Sequence, residues 1–165
     1  MTLQKIDHQF QHPKLSYDAK PNYQPSVKLS FYFSKLPDVS DEQFHRHWET
    51  VHADLTVAAK GFKACKIQRY VQVHQTAEWK ERAKSLGLVH LDFDGCSEIW
   101  VETWQDWMDF FNSEEYAKVM QPDCPRFMAF PISVFVGEEN LIYGEALPGL
   151  KGADGVTSST LQTRE

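Results

Sequence analysis

Cysteine is scarce and unpatterned. The chain has three, Cys65, Cys96 and Cys124, an odd number with no CxxC spacing and no His/Cys pairing. That excludes a disulfide framework and a zinc-finger pattern, and it leaves three reduced thiols that behave as small buried hydrophobes. No apolar run approaches the roughly 18 residues of a membrane span. The N-terminus, MTLQKIDHQFQHPKLSYDAKP, lacks the apolar core of a secretory signal. A soluble, reducing, cytoplasmic setting is therefore expected. There is no excess of basic residues either: net charge is −6, which removes a whole-chain electrostatic case for nucleic acid or anionic membrane. Nucleophile elbow, P-loop and GxGxxG motifs are all missing, as is a Ser-His-Asp order.

What is present is a soluble domain's worth of apolar residues. The 165 residues are 42% hydrophobic and 24% charged, enough for one core and too short for two comfortable domains. Aromatics reach 13%, which points to a large core, a pocket for a flat ligand, or both.

The chain divides into three parts. Residues 1–26 are polar, carry Pro13, Pro21 and Pro25, and read as an extended N-terminal arm. From 27 to 145 a regular order appears. VKLSFYFS (27–34) alternates, with Val27, Leu29, Phe31 and Phe33 on one side, and predicts a strand. Ser40 with Gln43 reads as a capping box that opens a helix over about 41–59, closed by Gly61. CKIQRYVQVH (65–74) predicts a second strand, its register uncertain at Arg69-Tyr70. A short polar helix at 77–86 and a turn-rich loop, HLDFDG, lead to a third strand at 96–102. Helices follow at 104–111, capped by Thr103 or Asp106, and at 113–120. A fourth strand, interrupted by Pro131, is expected over 127–137, with a further edge strand at 139–145. Residues 146–165 turn to Gly, Ser and Thr and read as a flexible tail. Strand–helix–strand, repeated, is the split βαβ order of a ferredoxin-like α+β sheet with helices on one face. The other face carries too much apolar area to stay wet in a monomer, which argues for a homodimer sealed sheet to sheet.

The most informative segment is FHRHWETVHADL (44–55). Setting Phe44 at 0° and stepping about 100° per residue, Phe44, Trp48, Val51, Leu55 and Ala58 form one apolar stripe. His52 falls about 80° from its centre and His45 about 100°, on one flank; His47 falls on the other, at about 300°. His52 and His45 thus sit at the border of core and solvent, where an imidazole can meet a pocket between helix and sheet and exchange protons near neutral pH. Tyr32 and Lys28 share the more polar side of the first strand and either line that pocket or point into a dimer interface. Trp48 and Trp100 are core residues or stacking surfaces for a flat substrate. His90, Asp92 and Asp94, with Glu98 nearby, make a loose H-x-D-x-D, but no spacing in it is diagnostic of a metal site, and turn capping explains the aspartates.

FxxHWxxxHAxL after a strand of the type KLSFYFSK, followed by DGCSEIWVETWQDWMDFFNSEEYAKVMQPDCPRFM, resembles the EthD family of dimeric α+β barrel proteins over roughly residues 27–136. The resemblance implies a homodimer whose two sheets form a barrel, and a pocket in each subunit between sheet and helices. It also implies kinship with small cofactor-free proteins that modify aromatic polyketides or phenolic lactones: decarboxylases, dehydratases, cyclases, isomerases and quinone-forming monooxygenases. His52 matches the family's pocket histidine, and Asp94 matches its Asp-Gly position, as an orienting partner of His52 or an Asx turn. The expectation is a lyase or cyclase acting by proton transfer on a small aromatic or β-keto polyketide-type acid in secondary metabolism. Its catalytic residues would be His52 and Asp94, its substrate contacts Tyr32, His45, Trp48 and Trp100, with no cofactor and no metal. The alternatives are a cofactor-free monooxygenase acting on an anthrone-like substrate, and a non-catalytic dimer that binds a phenolic ligand.

Overall fold

A computed structural model describes residues 4–163. They form two compact units, one comprising residues 26–137 and the other the segments up to Pro25 and from Glu138 onward.

The larger unit is built on a four-stranded antiparallel sheet of order β2-β3-β1-β4. Its strands are β1 (Tyr23–Phe33), β2 (Ile67–His74), β3 (Gly95–Val101) and β4 (Ser133–Asn140), of which residues 23–25 and 138–140 belong to the smaller unit. The two central strands lie next to each other without being consecutive, which is the ferredoxin-like arrangement. Register follows the alternation in β1: Leu29 opposes Ile99, Phe31 opposes Ser97 and Phe33 opposes Gly95, so these residues share one face. That face carries the helices. Leu29, Ile99 and Val101 bury against Trp107 and Phe110, while Phe33 buries against Phe44, Trp48, Phe127 and Met128. Lys28, Ser30 and Tyr32, opposite Trp100, Glu98 and Cys96, occupy the other face.

The register doubt in the second strand resolves as a bulge between Ile67 and Arg69. The extra residue shifts the alternation by one. Tyr70, Gln72 and His74 therefore share the face of Ile99, Ser97 and Gly95, while Val71 and Val73 go to the other side.

Ser40 caps the first helix by accepting the Gln43 N–H at 3.1 Å. The expected single helix over 41–59 is instead three pieces: α1 (Asp41–His47), a π-helical turn over Trp48–His52, and α2 (Ala53–Ala58). The Ala53 N–H reaches the carbonyl of Trp48, five residues back, the signature of the wider turn. Ala59 leaves helical backbone with ψ 128° and ends α2, so Gly61 is not the stop. Gly61 lies inside α3 (Lys60–Ala64), donating its N–H to Glu115 Oε2 at 3.0 Å. The short α4 (Ala77–Lys84) is mostly polar and buries none of its residues. Thr103 caps α5 (Trp104–Phe111) in a full capping box with Asp106. A second π-helical turn, Tyr116–Met120, follows.

The fourth strand starts later than expected. Residues 124–126 form a 3₁₀ turn, and Phe127 and Met128 are buried core residues rather than strand. Pro125 and Pro131 withhold backbone N–H groups from a ladder across this stretch, so only a single bridge, Met128 with Lys35, forms before the strand begins at Ser133. β4 then runs to Asn140, where a separate edge strand was expected.

In the smaller unit, Pro13–Leu15 form one 3₁₀ turn. The C-terminal segment, whose composition suggests a flexible tail, is tied to its own unit. Val156 is buried, its N–H bonds the Ile142 carbonyl at 2.8 Å, and the Gly144 N–H bonds the Val156 carbonyl at 2.9 Å. Asn22 Nδ2 donates to the Ala153 carbonyl at 2.9 Å.

Candidate active site

The two π turns bring together residues that a regular helix would keep apart. On a regular wheel, His47 and His52 differ by about 140°. The wider turn between them places both on Asp123, which sits just after the second π turn. His52 Nδ1 lies 2.9 Å from Asp123 Oδ2, and His47 Nε2 lies 3.0 Å from Asp123 Oδ1. Asp123 is held by backbone on both sides, its N–H on the Met120 carbonyl and its carbonyl on the Arg126 N–H. The Phe127 ring packs against both imidazoles, with centroids 5.1 Å from His52 and 4.9 Å from His47. His52 and Asp123 are 6% and 5% exposed, so this is a buried pair.

A carboxylate only accepts hydrogen bonds, so each imidazole nitrogen facing it carries the proton. That assigns the Nδ1–H form to neutral His52 and leaves Nε2 with its lone pair. Burial lowers the His52 pKa below its ordinary value; the hydrogen bond and charge of Asp123 oppose the shift without reversing it. The buried, neutral imidazole is a base with an orienting carboxylate behind it.

His52 lines a cavity of about 70 Å³ between sheet and helices. Its walls are mainly apolar, including Phe31, Phe33, Trp107, Phe110 and Met128, with Thr56, Tyr70 and Ser97 supplying hydroxyls. Cys124 also lines it, but burial and the nearby Asp123 push its thiol up to about 11, so it is no thiolate nucleophile near neutral pH.

A second polar chain lies beside the first. Gln72 Nε2 donates to the Tyr70 hydroxyl at 2.8 Å and to the Trp48 carbonyl at 2.9 Å. Gln72 Oε1 is 3.3 Å from His74 Nε2, and His74 Nδ1 is 2.8 Å from His45 Nδ1. The Trp48 and His74 rings pack at a tilt, with centroids 4.3 Å apart.

The residues singled out in the sequence divide accordingly. His52 reaches the cavity. His45 does not line it; it pairs with His74 instead. Trp48 is fully buried behind the wall, its ring against Phe33 and over Gly95, where an added Cβ would lie 2.6 Å from Trp48 Cζ3. Asp94 does not orient His52. Its Oδ2 accepts the Lys35 N–H at 2.8 Å and its Oδ1 pairs with Lys80 at 2.7 Å, so it pins the loop ahead of β3. Tyr32 and Trp100 lie on the sheet face away from the cavity, because they alternate with Phe31, Phe33 and Ile99, which line it. Trp100 is held there under Lys28 and Arg69, which sit 4.7 and 5.0 Å from its ring. Asp123, His47, Tyr70 and Gln72 are the site residues that sequence reasoning missed. The Pro122-Asp123 pair inside the resembling segment was the available signal for Asp123. Among the described residues, no three His, Cys, Asp or Glu side chains group as a metal site, and no helix is long and apolar enough to cross a membrane.

The EthD domain family matches residues 36–131, more than half of the chain and the whole of the segment that carries His47, His52, Tyr70, Gln72 and Asp123. The protein belongs to the EthD domain family. Among solved structures it is similar to an ethyl tert-butyl ether D (EthD) family protein from Bacillus halodurans, at 18% identity and a TM-score of 0.46, covering 69% of this chain and 98% of that one. It is similar to a dimeric protein of unknown function with a ferredoxin-like fold from Bacteroides fragilis, at 11% identity and a TM-score of 0.46, covering 71% and 99%. It is also similar to a hydroxynitrile lyase from Passiflora edulis, at 14% identity and a TM-score of 0.44, covering 70% and 94%. Among curated proteins none matches the chain.

Proposed function

We propose that the protein is a cofactor-independent enzyme whose reaction begins with removal of a proton by His52: the dehydration or cyclisation of a compact carbonyl compound. The observation that carries this reading is the His52 Nδ1–Asp123 hydrogen bond of 2.9 Å at the wall of an apolar cavity. It fixes the tautomer, leaves Nε2 as the base, and keeps the imidazole uncharged through its depressed pKa. A neutral imidazole favours base-initiated chemistry over decarboxylation, which needs a proton donor at the carbon that loses carbon dioxide. His47, the second imidazole on Asp123, holds the carboxylate in line with His52.

Cavity size narrows the substrate. About 70 Å³ is small beside the roughly 300–1,000 Å³ of ordinary ligand pockets, and a multi-ring polyketide exceeds it. A substrate of a few heavy atoms around a carbonyl group suits the volume. The sheet face carrying Trp100 and the half-exposed Val73 supports a further proposal, that two copies pair through this face, which light scattering tests: a mass of one chain at micromolar concentration contradicts it.

The test of the enzyme reading is a panel of small β-hydroxy and β-diketones in deuterated water. Deuterium incorporation beside the carbonyl, or loss of water, should appear with the wild-type protein and fall by about 10²–10⁴-fold in His52→Ala. Equal turnover in the folded His52→Ala variant places the chemistry elsewhere.

A further inference from the structure

Four side-chain hydroxyls line the cavity that His52 lines: Thr56, Tyr70, Ser97 and Tyr116. Three are engaged within the protein. Thr56 donates to the His52 carbonyl at 2.7 Å, Tyr70 accepts from Gln72 at 2.8 Å, and the Ser97 hydroxyl bears on the Tyr70 oxygen. Tyr116 differs. Its backbone N–H donates to the Ser113 hydroxyl at 3.1 Å, and its ring packs on Phe110 and Phe111, with centroids 5.5 and 5.0 Å away. Among the described residues, none hydrogen-bonds its phenol oxygen. That oxygen is nonetheless withdrawn from bulk water, near the Cys124 thiol that lines the same cavity. Burial first, and the thiol second, push the phenol up to about 12, so it holds its proton at neutral pH. Polar groups withdrawn from water are nearly always paired, and one left open in a cavity marks where a ligand atom completes the set.

The local fold explains the placement. Tyr116 opens the second π turn as His52 closes the first. The Gln121 N–H reaches the Tyr116 carbonyl, five residues back, at 3.1 Å. Each widened turn thus delivers one proton-handling side chain to the cavity: an imidazole with a bare nitrogen and a phenol with an unused proton. Phe110, Met120 and Met128 make the wall around them apolar, so a negative charge developing there needs a donor.

We propose that the Tyr116 O–H donates to the carbonyl oxygen of the substrate, as a second catalytic residue in the His52 cavity. The proposal rests on His52 as the base and names the substrate class as an enolisable ketone with a β-hydroxyl. His52 Nε2 takes the proton from the carbon beside the carbonyl. The C–H electron pair becomes a C=C bond, and the carbonyl π pair moves onto oxygen as an enolate that accepts from Tyr116. When the carbonyl re-forms, the electrons expel the β-hydroxyl, which takes the proton back from His52 and leaves as water. Tyr116 keeps its proton throughout, His52 ends neutral, and no oxidant enters the balance. A donor aimed at a developing oxyanion acts strongly in a site of low polarity, and losing one typically costs about 10²–10³-fold in rate.

Acetone labelled with ¹³C at the carbonyl is the probe. Its titration into the full-length protein should move the carbonyl resonance downfield to saturation. Tyr116→Phe, which removes only the hydroxyl, should reduce that shift and slow deuterium incorporation in heavy water by about 10²–10³-fold. Its urea midpoint should be no lower than that of the wild type, because no bond within the protein is lost. Tyr70→Phe, which forfeits the Gln72 bond, should lower the midpoint. If Tyr116→Phe does not fold, 3-fluorotyrosine placed at position 116 stands in, and its ¹⁹F resonance should move with added acetone. His52→Ala should keep the carbonyl shift while losing incorporation. A saturable shift without incorporation in the wild type would leave the Tyr116 donor standing and defeat the base reading. A wild-type carbonyl resonance that does not move, a ¹⁹F resonance that stays put, or a folded Tyr116→Phe with the wild-type shift and exchange rate overturns the donor. A lowered urea midpoint in Tyr116→Phe overturns it too, by showing that the hydroxyl serves the fold.

Discussion

His52 and Asp123, 71 positions apart in the chain, meet at 2.9 Å, one on the last residue of a π turn and the other three residues beyond a second. The first turn carries His52 on its last residue; the second delivers the chain to Asp123. Each widened turn costs a regular helical hydrogen bond, and such turns occur most often at functional sites. Here they bring His52, at the cavity wall, together with Asp123 and a second imidazole, His47.

Asp123→Asn keeps the shape of the side chain and removes its ability to accept from both imidazoles through equivalent oxygens. Turnover should fall by about 10²–10⁴-fold, since the His52 tautomer is no longer specified. Asp123→Ala should also destabilise, because the buried His52 N–H loses its acceptor, at about 1–3 kcal/mol, and the part-buried His47 N–H loses its own at less. Urea midpoints for the two variants, read beside their rates, check both parts. An Asp123→Asn enzyme of wild-type rate contradicts the assignment.

His47→Ala and His45→Ala should rank in the order opposite to the one a regular helical wheel gives. His47 bonds Asp123, and losing that bond to a carboxylate is worth about 1.5–3 kcal/mol, with an effect on rate of about tenfold. His45 pairs with His74, does not line the cavity, and should cost less in rate. A larger rate loss in His45→Ala than in His47→Ala would reverse the ranking and the role given to His47.

How much of this was legible in the sequence depends on where the chain keeps its ideal periods. The alternation of Val27, Leu29, Phe31 and Phe33 held, and with it the sheet and its helical face. The wheel holds for His47, which shares α1 with Phe44, but the π turn that follows rotates His52 toward the His47 side, so a regular period puts the two histidines on opposite flanks when they in fact meet on Asp123. Tyr70 and Gln72 depended on a bulge at Ile67/Arg69 that moves every later side chain to the opposite face. Asp94 was read from the Asp-Gly pair as a partner of His52, whereas the aspartate pins Lys35 and Lys80 and the glycine makes room for Trp48. Asp123 follows an irregular turn, and no period points to it.

Gly95→Ala tests that last point. The added Cβ would lie 2.6 and 2.8 Å from two Trp48 ring carbons and 3.3 Å from Phe33, all of them buried. Overpacking of this kind costs about 1–3 kcal/mol. Thermal denaturation should show the loss, and Trp48 fluorescence should change with it. A variant as stable as the wild type means that Trp48 does not pack on this glycine.

Stability should fall on mild acidification. Burial lowers the pKa of His52 and of His74, so the unfolded chain takes up these protons first as pH drops. The contribution is fully present above the unfolded value of about 6.5 and is lost as pH falls from there toward the folded values. The urea midpoint should therefore decline between about pH 7 and 5, and less steeply in His52→Gln, whose amide still bonds Asp123 but does not titrate. An identical pH slope in His52→Gln removes His52 from the set of depressed groups.

The protonation of His52 can be read without any substrate. In ¹⁵N NMR of the full-length protein at pH 7, its Nδ1 should resonate as a protonated, pyrrole-like nitrogen and its Nε2 as a bare, pyridine-like one, with the Nδ1–H signal lost or moved in Asp123→Asn. An imidazolium at that pH, or a proton on Nε2 instead of Nδ1, would contradict the reading of His52 as a neutral base oriented by Asp123.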